Sequence, residues 1–423
     1  MGTVIKSIKG MHDLLPADAG AWQRLEEAAA AIFAAYGYSV IRTPIAEKTD
    51  LFVRTIGENT DVVEKEMYSF EDRNGDSISL RPEGTASVVR SVLQHGLLYQ
   101  QPLRLWYMGP MFRRERPQRG RTRQFNQIGA EVFGLPGADI EIELLALCRR
   151  LWGELSIGGL VLEINSLGNS AERTQYREAL VTYLSGFLDQ LDEDSQKRLH
   201  SNPLRILDSK NPQTREILQQ APAITEYLGT ESREHFEQVR AGLDELGIAY
   251  TINTRLVRGL DYYSQTVFEW TTTELGAQGT ICAGGRYDGL VELQGGKPWP
   301  GVGFAMGMER IVELMRASGG QFERPPDAYM VLVGEGAQMA GIKLAEQLRS
   351  EVPGLKLYMN AGGGSFKSQF RRADKSGAKV AVIIGEQELA ADRAGVKHLR
   401  ESGDQQDVEL SKLAGWLRNL IDG

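Results

Sequence analysis

The stretch FRRERPQRGRTRQF, residues 112–125, sets six arginines against one acid, Glu115, in a chain that is otherwise acidic, with 48 Lys+Arg and 56 Asp+Glu. Guanidinium groups that close repel one another and need solvent or a polyanion to offset the repulsion. Arginine presents a planar fork that matches phosphate bidentately, so nucleotide phosphates suit the strand-borne arginines and a longer polyanion suits those at the tip. Upstream, RPEGTA (81–86) places Arg81, Glu83 and Thr85 two apart, on one face if the segment is extended. Downstream, QFNQIGAE puts Gln127 and Glu131 four apart, an amide and a carboxylate on one strand face that would suit an ammonium group.

Three further stretches carry arginine beside tyrosine or glycine. LVRGLDYYSQTVFEW (256–270) holds Arg258 in an apolar run, followed by Tyr262 and Tyr263. A buried cation is costly alone, so Arg258 has either a protein carboxylate or an anionic ligand. If the run is extended, the two tyrosines face opposite ways. AGGRYDGL (283–290) brings Gly284 and Gly285 beside Arg286 and Tyr287, which fits close approach of a ligand or a tight turn. GVGFAMGMER ends on Arg310, one turn into a helix. A second basic patch runs from Lys356 to Lys379, with six basic residues and one acid, and includes Gly362–Gly364, Lys367, Arg371 and Arg372. It lacks the Gly-Lys-Ser/Thr spacing of a P-loop. Each stretch taken alone also fits a solvated surface.

The elements that must position these residues follow from periodicity. Residues 21–36 form a helix with Trp22, Leu25, Ala29, Ile32, Phe33 and Tyr36 on one face. YSVIRTPI is extended and interrupted by Pro44, as an edge strand is. MYSFEDRNGDSISLRPE is a hairpin about Asn74-Gly75, and the arginine strip is the tip of a longer one between LRLWYMGPMFRRE and RQFNQIGAEVFG. The segment from ~170 to 238 turns charged and helical, as an insertion would, and residues 318–327 read as a linker. Alternating strands and helices after it predict a small α/β domain. The expected organisation is residues 1–322, with the insertion, and residues 327–423.

The order of these motifs resembles the bacterial type of histidyl-tRNA synthetase, a class II aminoacyl-tRNA synthetase, over essentially the whole chain. LVRGLDYY and AGGRYDGL are similar to its histidine-specific motifs, and GYSVIRTP to the motif that builds the dimer interface. The resemblance implies an α+β catalytic domain on an antiparallel sheet, with a helical insertion, followed by an α/β anticodon-binding domain. It implies activation of L-histidine with ATP and Mg²⁺, then transfer to the 3′ end of tRNA(His), in a cytoplasmic homodimer. Arg258 and Arg113 are the implied catalytic residues. Glu83, Thr85, Gln127, Glu131, Tyr262, Tyr263 and Tyr287 are implied for histidine, with Glu83 and Glu131 as anionic partners. Arg113, Arg121, Arg123, Phe125 and Arg310 are implied for ATP, and Arg116, Gln118, Arg119, Lys367, Arg371 and Arg372 for tRNA. The alternative is a non-catalytic, histidine-binding regulatory paralogue, which commonly lacks the ATP arginines or the tail; both are present here.

Composition bounds these readings. Apolar content of 42% and charged content of 25% are ordinary for a globular protein. No run approaches the roughly 18 apolar residues of a membrane span, and no secretory leader is expected. The two cysteines, Cys148 and Cys282, suggest neither a metal spacing nor a disulfide framework. The net charge of −8 argues against bulk nucleic-acid coating and leaves room for local basic sites, which screening confines to about 10 Å.

Overall fold

The computed structural model describes residues 4–422 except 59, 100, 101, 118, 119, 277, 278, 323 and 402. The chain divides into two compact units, Met1–Phe322 and Glu323–Gly423. In the first unit the strands, in chain order, are β1 (Ser39–Val40), β2 (Ala46–Lys48), β3 (Tyr68–Glu71), β4 (Ser77–Leu80), β5 (Leu103–Phe112), β6 (Gln124–Phe133), β7 (Val161–Ser166), β8 (Tyr250–Ile252), β9 (Ser264–Thr271), β10 (Thr280–Arg286) and β11 (Gly301–Gly307). Eight of them make one sheet in the order β1-β5-β6-β11-β10-β9-β7-β8. The central pairings are antiparallel, and only the two edge pairs, β1 with β5 and β7 with β8, are parallel. β1 is short because Pro44 follows within a few residues and can donate nothing to a ladder.

The sheet's alternation produces two unlike faces. On one, Trp106, Ala130, Phe304, Gly284, Phe268 and Ile164 lie level across six strands. That face is covered by the helices Pro16–Ala35, Asp139–Glu154, Thr230–Glu245 and Met308–Ala317, whose buried side chains join one apolar cluster. Phe33 stacks on Trp106 with ring centroids 4.7 Å apart, worth about 1 kcal/mol beyond the area it buries. Gly284 is needed here, since an added Cβ would press on Phe304 and Phe268. The paired glycines therefore serve strand packing and not ligand approach. The opposite face carries the helix Thr85–Gln94, the insertion and the candidate site.

β3 and β4 form the expected hairpin, in which Asp72 accepts hydrogen bonds from the amides of Asn74 and Asp76 at 2.8 and 3.0 Å and Gly75 takes φ 84°. The insertion contains the helices Ser170–Ser185, Glu193–Ser201 and Pro212–Ile217. The expected boundary at residue 238 falls inside the helix Thr230–Glu245. That helix buries Phe236, Val239 and Leu243 in the main apolar cluster, so its packing assigns it to the body of the unit.

Arg286 is 1% exposed and forms a buried ion pair with Glu141 at 2.7 Å; His235 contacts the same carboxylate oxygen at 2.7 Å. Its other donors reach the carbonyls of Leu135 and Gly137 and the carboxylate of Asp288. This arginine is a cross-link between β10 and the helix Asp139–Glu154.

In the second unit, β12 (Ala328–Val333), β13 (Leu357–Met359), β14 (Val380–Gly385), β15 (Arg393–His398) and β16 (Gln406–Glu409) are ordered β13-β12-β14-β15-β16. β12 and β14 are buried on both faces and so read as unbroken apolar runs. The helices Ala337–Glu351 and Leu410–Asp422 cover one face and Phe366–Lys375 the other.

Removing one member of a buried pair leaves the other charged and unsatisfied. Glu141→Ala is therefore expected to lower stability by about 3 kcal/mol or more, read as a fall in the denaturation midpoint; an unchanged midpoint would show that Asp288 and the carbonyls hold Arg286 unaided.

Candidate functional site

A second level of the sheet, on the face away from the main core, runs Tyr107, Gly129, Ala305, Ala283, Glu269, Glu163 across β5, β6, β11, β10, β9 and β7. Small residues on three adjacent strands leave a depression between Tyr107 and Glu269. Above it opens a cavity of about 660 Å³, lined by Glu83, Thr85, Arg113, Arg121, Phe125, Gln127, Arg258, Tyr262, Tyr263, Glu269, Glu309 and Arg310, among others. Residues from 83 to 310 in sequence thus face one space.

The RPEGTA segment does not run extended, and its three candidates part company. Arg81 turns away and donates to the carbonyls of Pro110 and Thr43 at 2.9 and 3.0 Å, tying the chain to β5. Glu83 accepts from the amides of Thr85 and Ala86 at 2.7 and 2.8 Å, capping the helix Thr85–Gln94. Burial raises its proton affinity above that of an ordinary carboxylate, against the pull of those amides. Thr85 donates to Glu131 Oε1 at 2.7 Å.

Gln127 and Glu131 share a face, yet only Gln127 lines the cavity, and its buried Oε1 has no partner among the described residues. Glu131 lies a level deeper, fully buried, beside Gly303, where an added Cβ would overlap its carboxylate. Three hydroxyls donate to it, from Thr85, Tyr107 and Tyr287. Burial pushes its pKa up to about 8, with Glu83 adding to the effect. The implied role of Glu131 as an anionic partner of the ligand meets a carboxylate that does not line the cavity. In this structure Glu131 is an enclosed hub whose burial raises its proton affinity against the pull of those three hydroxyls. Tyr287 is likewise behind the wall, 1% exposed, edge-on to the rings of Tyr262 and Tyr263. The two adjacent tyrosines do not take opposite sides, because a turn at Asp261–Tyr262 breaks the extended run and sets their rings 4.6 Å apart on the same cavity.

Arg258 is not unpaired. It bonds the carboxylate of Glu269, which also accepts from Thr280 Oγ1 at 2.8 Å, and its guanidinium lies 5.6 Å from the Tyr263 ring centroid. Burial acts to depress its pKa, but Glu269 together with the hydroxyls of Tyr263 and Tyr262 outweighs it, and the net shift is upward. Its Nε remains buried without a partner among the described residues.

The long hairpin pairs β5 with β6 from Leu103↔Phe133 to Phe112↔Gln124, so Arg113 emerges at the end of the ladder. Its Nε donates to the Pro82 carbonyl at 2.9 Å, and its guanidinium carbon sits 5.5 Å from the centroid of Phe125. Arg121 pairs with Glu115 at 2.7 Å. Arg310 donates to the carbonyls of Gly120 and Thr280. Burial lowers its pKa, and the nearby cations Arg121 and Arg113 lower it further. Arg123 is not brought into the cavity: its side chain lies against Gly10, where an added Cβ would come 2.9 Å from its Cγ, and its backbone amide bonds the Gly10 carbonyl at 2.7 Å. Arg116 is exposed, while Gln118 and Arg119 lie outside the described residues.

A family model described as histidyl-tRNA synthetase matches residues 10–311, and one described as an anticodon binding domain matches residues 327–420. The chain belongs to the histidyl-tRNA synthetase family. Its activity is that of a histidine–tRNA ligase, a class II aminoacyl-tRNA synthetase with ATP as a substrate. Among solved structures, apo histidyl-tRNA synthetase of S. aureus is 37% identical, covers 98% of this chain and all of its own, and superposes with a TM-score of 0.82. Histidyl-tRNA synthetase of Nostoc sp. shares the fold at 23% identity, with 99% of this chain and 100% of that one covered and a TM-score of 0.72. So does a Bacillus halodurans protein titled as an ATP phosphoribosyltransferase regulatory subunit/histidyl-tRNA synthetase, at 22% identity, 91% and 99% coverage and a TM-score of 0.65.

In the second unit, Lys367 and Arg371 are exposed on the helix Phe366–Lys375. Arg372 instead staples the glycine loop, donating to Asn360 Oδ1 and to the carbonyls of Ala361 and Gly363 at 2.9, 3.1 and 2.9 Å.

Sequence reading missed Glu269, Tyr107 and Glu309. Glu309 fixes the start of β6 by accepting from the amide and side chain of Asn126 at 2.8 and 3.1 Å. Glu269 carried a signal, as an acid within the apolar run VFEW eleven residues after Arg258.

The state of Glu131 is testable through stability. Its pKa is about 8 in the fold and near 4.5 when unfolded. Between those values the unfolded chain has released the proton and the folded chain still holds it, so stability falls as pH rises. The stability difference between Glu131→Gln and wild type should shift in favour of the variant from about pH 5 to about pH 8. A difference that stays flat across that range would place the ionisation at the ordinary value.

Proposed function

We propose that the cavity holds L-histidine against Glu83, Thr85, Gln127, Tyr262 and Tyr263, and ATP against Arg113, Arg121, Phe125 and Arg310, with Arg258 between the reacting groups. The observation that carries this reading is the common cavity itself, whose lining includes Arg113, Arg121, Arg258 and Arg310, the Glu83 carboxylate, and a Gln127 acceptor without a partner among the described residues. The histidine ammonium has Glu83 and Gln127 to receive it. Phe125 offers a flat apolar face to adenine, with the Arg113 guanidinium already packed on it. Glu131 acts from beneath, orienting the hydroxyls of Thr85 and Tyr287.

The chemistry needs placement and charge compensation more than a protein nucleophile. A histidine carboxylate oxygen attacks the α-phosphorus, the bond to pyrophosphate breaks, and histidyl-adenylate forms. A ribose hydroxyl of the terminal tRNA adenosine then attacks the acyl carbon, and AMP leaves. Arg258, held by Glu269, retains donors for the carboxylate and the α-phosphate together. Glu115, Glu269 and Glu309, which line the cavity, would offer oxygen donors to an Mg²⁺ accompanying ATP, and that ion would supply charge neutralisation on the phosphates. Arg116 at the hairpin tip and Lys367 and Arg371 on the second unit are assigned to tRNA, and a homodimer is supported by the exposed apolar residues Val40 on β1, Ile45 just after it and Phe70 on the β3–β4 hairpin. Cys148 and Cys282 are both free thiols, in keeping with a reducing cytoplasm.

Arg258→Ala should lower histidine-dependent ATP–pyrophosphate exchange by about 100- to 1,000-fold with the fold intact; exchange at the wild-type rate would remove Arg258 from the chemistry. Deleting residues 327–423 should weaken tRNA charging far more than adenylate formation. Equal loss of both in a chain that keeps its oligomeric state would contradict the assignment of tRNA contacts to that unit.

A further inference from the structure

The segment from Leu256 to Tyr263 carries Arg258 and both tyrosines but belongs to no strand or helix. Side chains with two to four rotatable bonds need a fixed backbone to select one ligand, so something must hold this segment still. Two bonds come from the body: Asn165 Nδ2 donates to the Leu256 carbonyl at 3.0 Å and the Asp261 amide to the Ile56 carbonyl at 3.2 Å.

The other tethers come from the insertion. Arg173, on the helix Ser170–Ser185, donates from Nη1 to the carbonyl of Tyr263. Asn202 Nδ2 donates to Asp261 Oδ1 at 2.9 Å. Arg205 lies against Gly259, where an added Cβ would come 3.3 Å from Nη1. Arg198 and Arg205 in turn pair with Asp61 at 2.8 and 3.6 Å, joining the insertion to the body beside the same segment. A second cavity of about 280 Å³ runs behind the segment, lined by Arg173, Asn202, Arg205, Asp261 and Tyr263. Where these tethers do not reach, the segment has room to shift.

We propose that Arg173 is a positioning residue for histidine recognition, with Asn202 as its second tether. By holding the Tyr263 carbonyl from outside the cavity, Arg173 fixes the tyrosine ring and the Arg258 guanidinium that lies over it. The inference rests on the reading of Tyr263 and Arg258 as ligand contacts. It gives the insertion a part in the first half of the reaction, before tRNA is present.

The test is steady-state ATP–pyrophosphate exchange with the full-length chain, varying histidine and ATP separately. Arg173→Ala should raise the KM for histidine by about tenfold, the loss of one charged hydrogen bond, and leave the KM for ATP within about twofold. Arg173→Lys, which keeps a single donor, should recover part of the difference. A residue that merely supported the fold would move both KM values or neither. Should Arg173→Ala fail to fold, Asn202→Ala decides, with the same split expected at smaller size. An unchanged KM for histidine, or parallel rises for both substrates, overturns the proposal. The Arg258→Ala variant separates the two ideas. If it is inactive while Arg173→Ala behaves as wild type, the tether alone fails; if it is fully active, the underlying reading fails.

Discussion

Everything at this site depends on a step in the height of one β-sheet. Gly129, Ala305 and Ala283 stand level on three neighbouring central strands, and on the reverse face the next level carries Trp106, Phe304 and Phe268. The same backbone therefore packs a core on one side and leaves a hollow on the other, a consequence of side chains alternating at period two. A branched residue at Ala305 or Ala283 would fill the floor, and one at Gly129 would collide with the Tyr107 ring that lies over it. Central strands, bonded on both sides, also give the hollow a base that cannot sag. The flexible parts of the site are left to the walls, which are made of a hairpin tip, a helix start and the 256–263 segment.

On that base the protein gathers cations against their own repulsion. Joining a carboxylate to a triphosphate brings like charges together. At about 4 Å and an effective dielectric near 20, two unit charges interact by roughly 4 kcal/mol, enough to keep the reactants apart. Guanidiniums from the β5–β6 hairpin, the 256–263 segment and the helix Met308–Ala317 offset that repulsion only if they sit there before the substrates arrive. The structure meets the cost with backbone carbonyls and sparing use of carboxylates. Pro82, Gly120 and Thr280 take donors from Arg113 and Arg310, while Glu115 and Glu269 each hold one arginine. The burial of Glu131 works in the same direction, since by raising its proton affinity it disfavours a further negative charge beneath the floor.

What could be read from sequence was whatever depends on local period or fixed spacing. The β5–β6 hairpin, the Asn74-Gly75 turn, the helices Pro16–Ala35 and Asp139–Glu154 and the alternating strands of the second unit all carry their signal within a window of ten to twenty residues. The position of Arg113 at the end of a ladder followed from the hairpin alone. The errors arose where a turn or a distant neighbour intervenes. Tyr262 and Tyr263 share a side because of a turn that no glycine or proline announces at Asp261–Tyr262. Glu131 obeys the strand period that links it to Gln127, but the helix Thr85–Gln94 and the side chain of Tyr287, placed by remote segments, decide that it is covered. Arg123 points toward Gly10, which lies more than a hundred residues before it in sequence.

Arg258 and Arg286 show why the sequence leaves such roles open. Both sit in apolar runs, beside glycine and tyrosine, and both face a carboxylate in the fold. The difference is in how many donors remain. A guanidinium has five N–H groups in a rigid fork. Those of Arg286 reach Glu141, Asp288 and the carbonyls of Leu135 and Gly137, so that nothing is left for a ligand. Arg258 has Glu269 and the face of Tyr263, with a buried Nε unsatisfied at the edge of a cavity. A saturated fork is a cross-link, and its removal is felt as lost stability. An unsaturated one is held at an energetic cost that only an incoming acceptor can offset, so its removal is felt as lost chemistry. Donor saturation distinguishes the two arginines where charge, burial and neighbouring residue types do not.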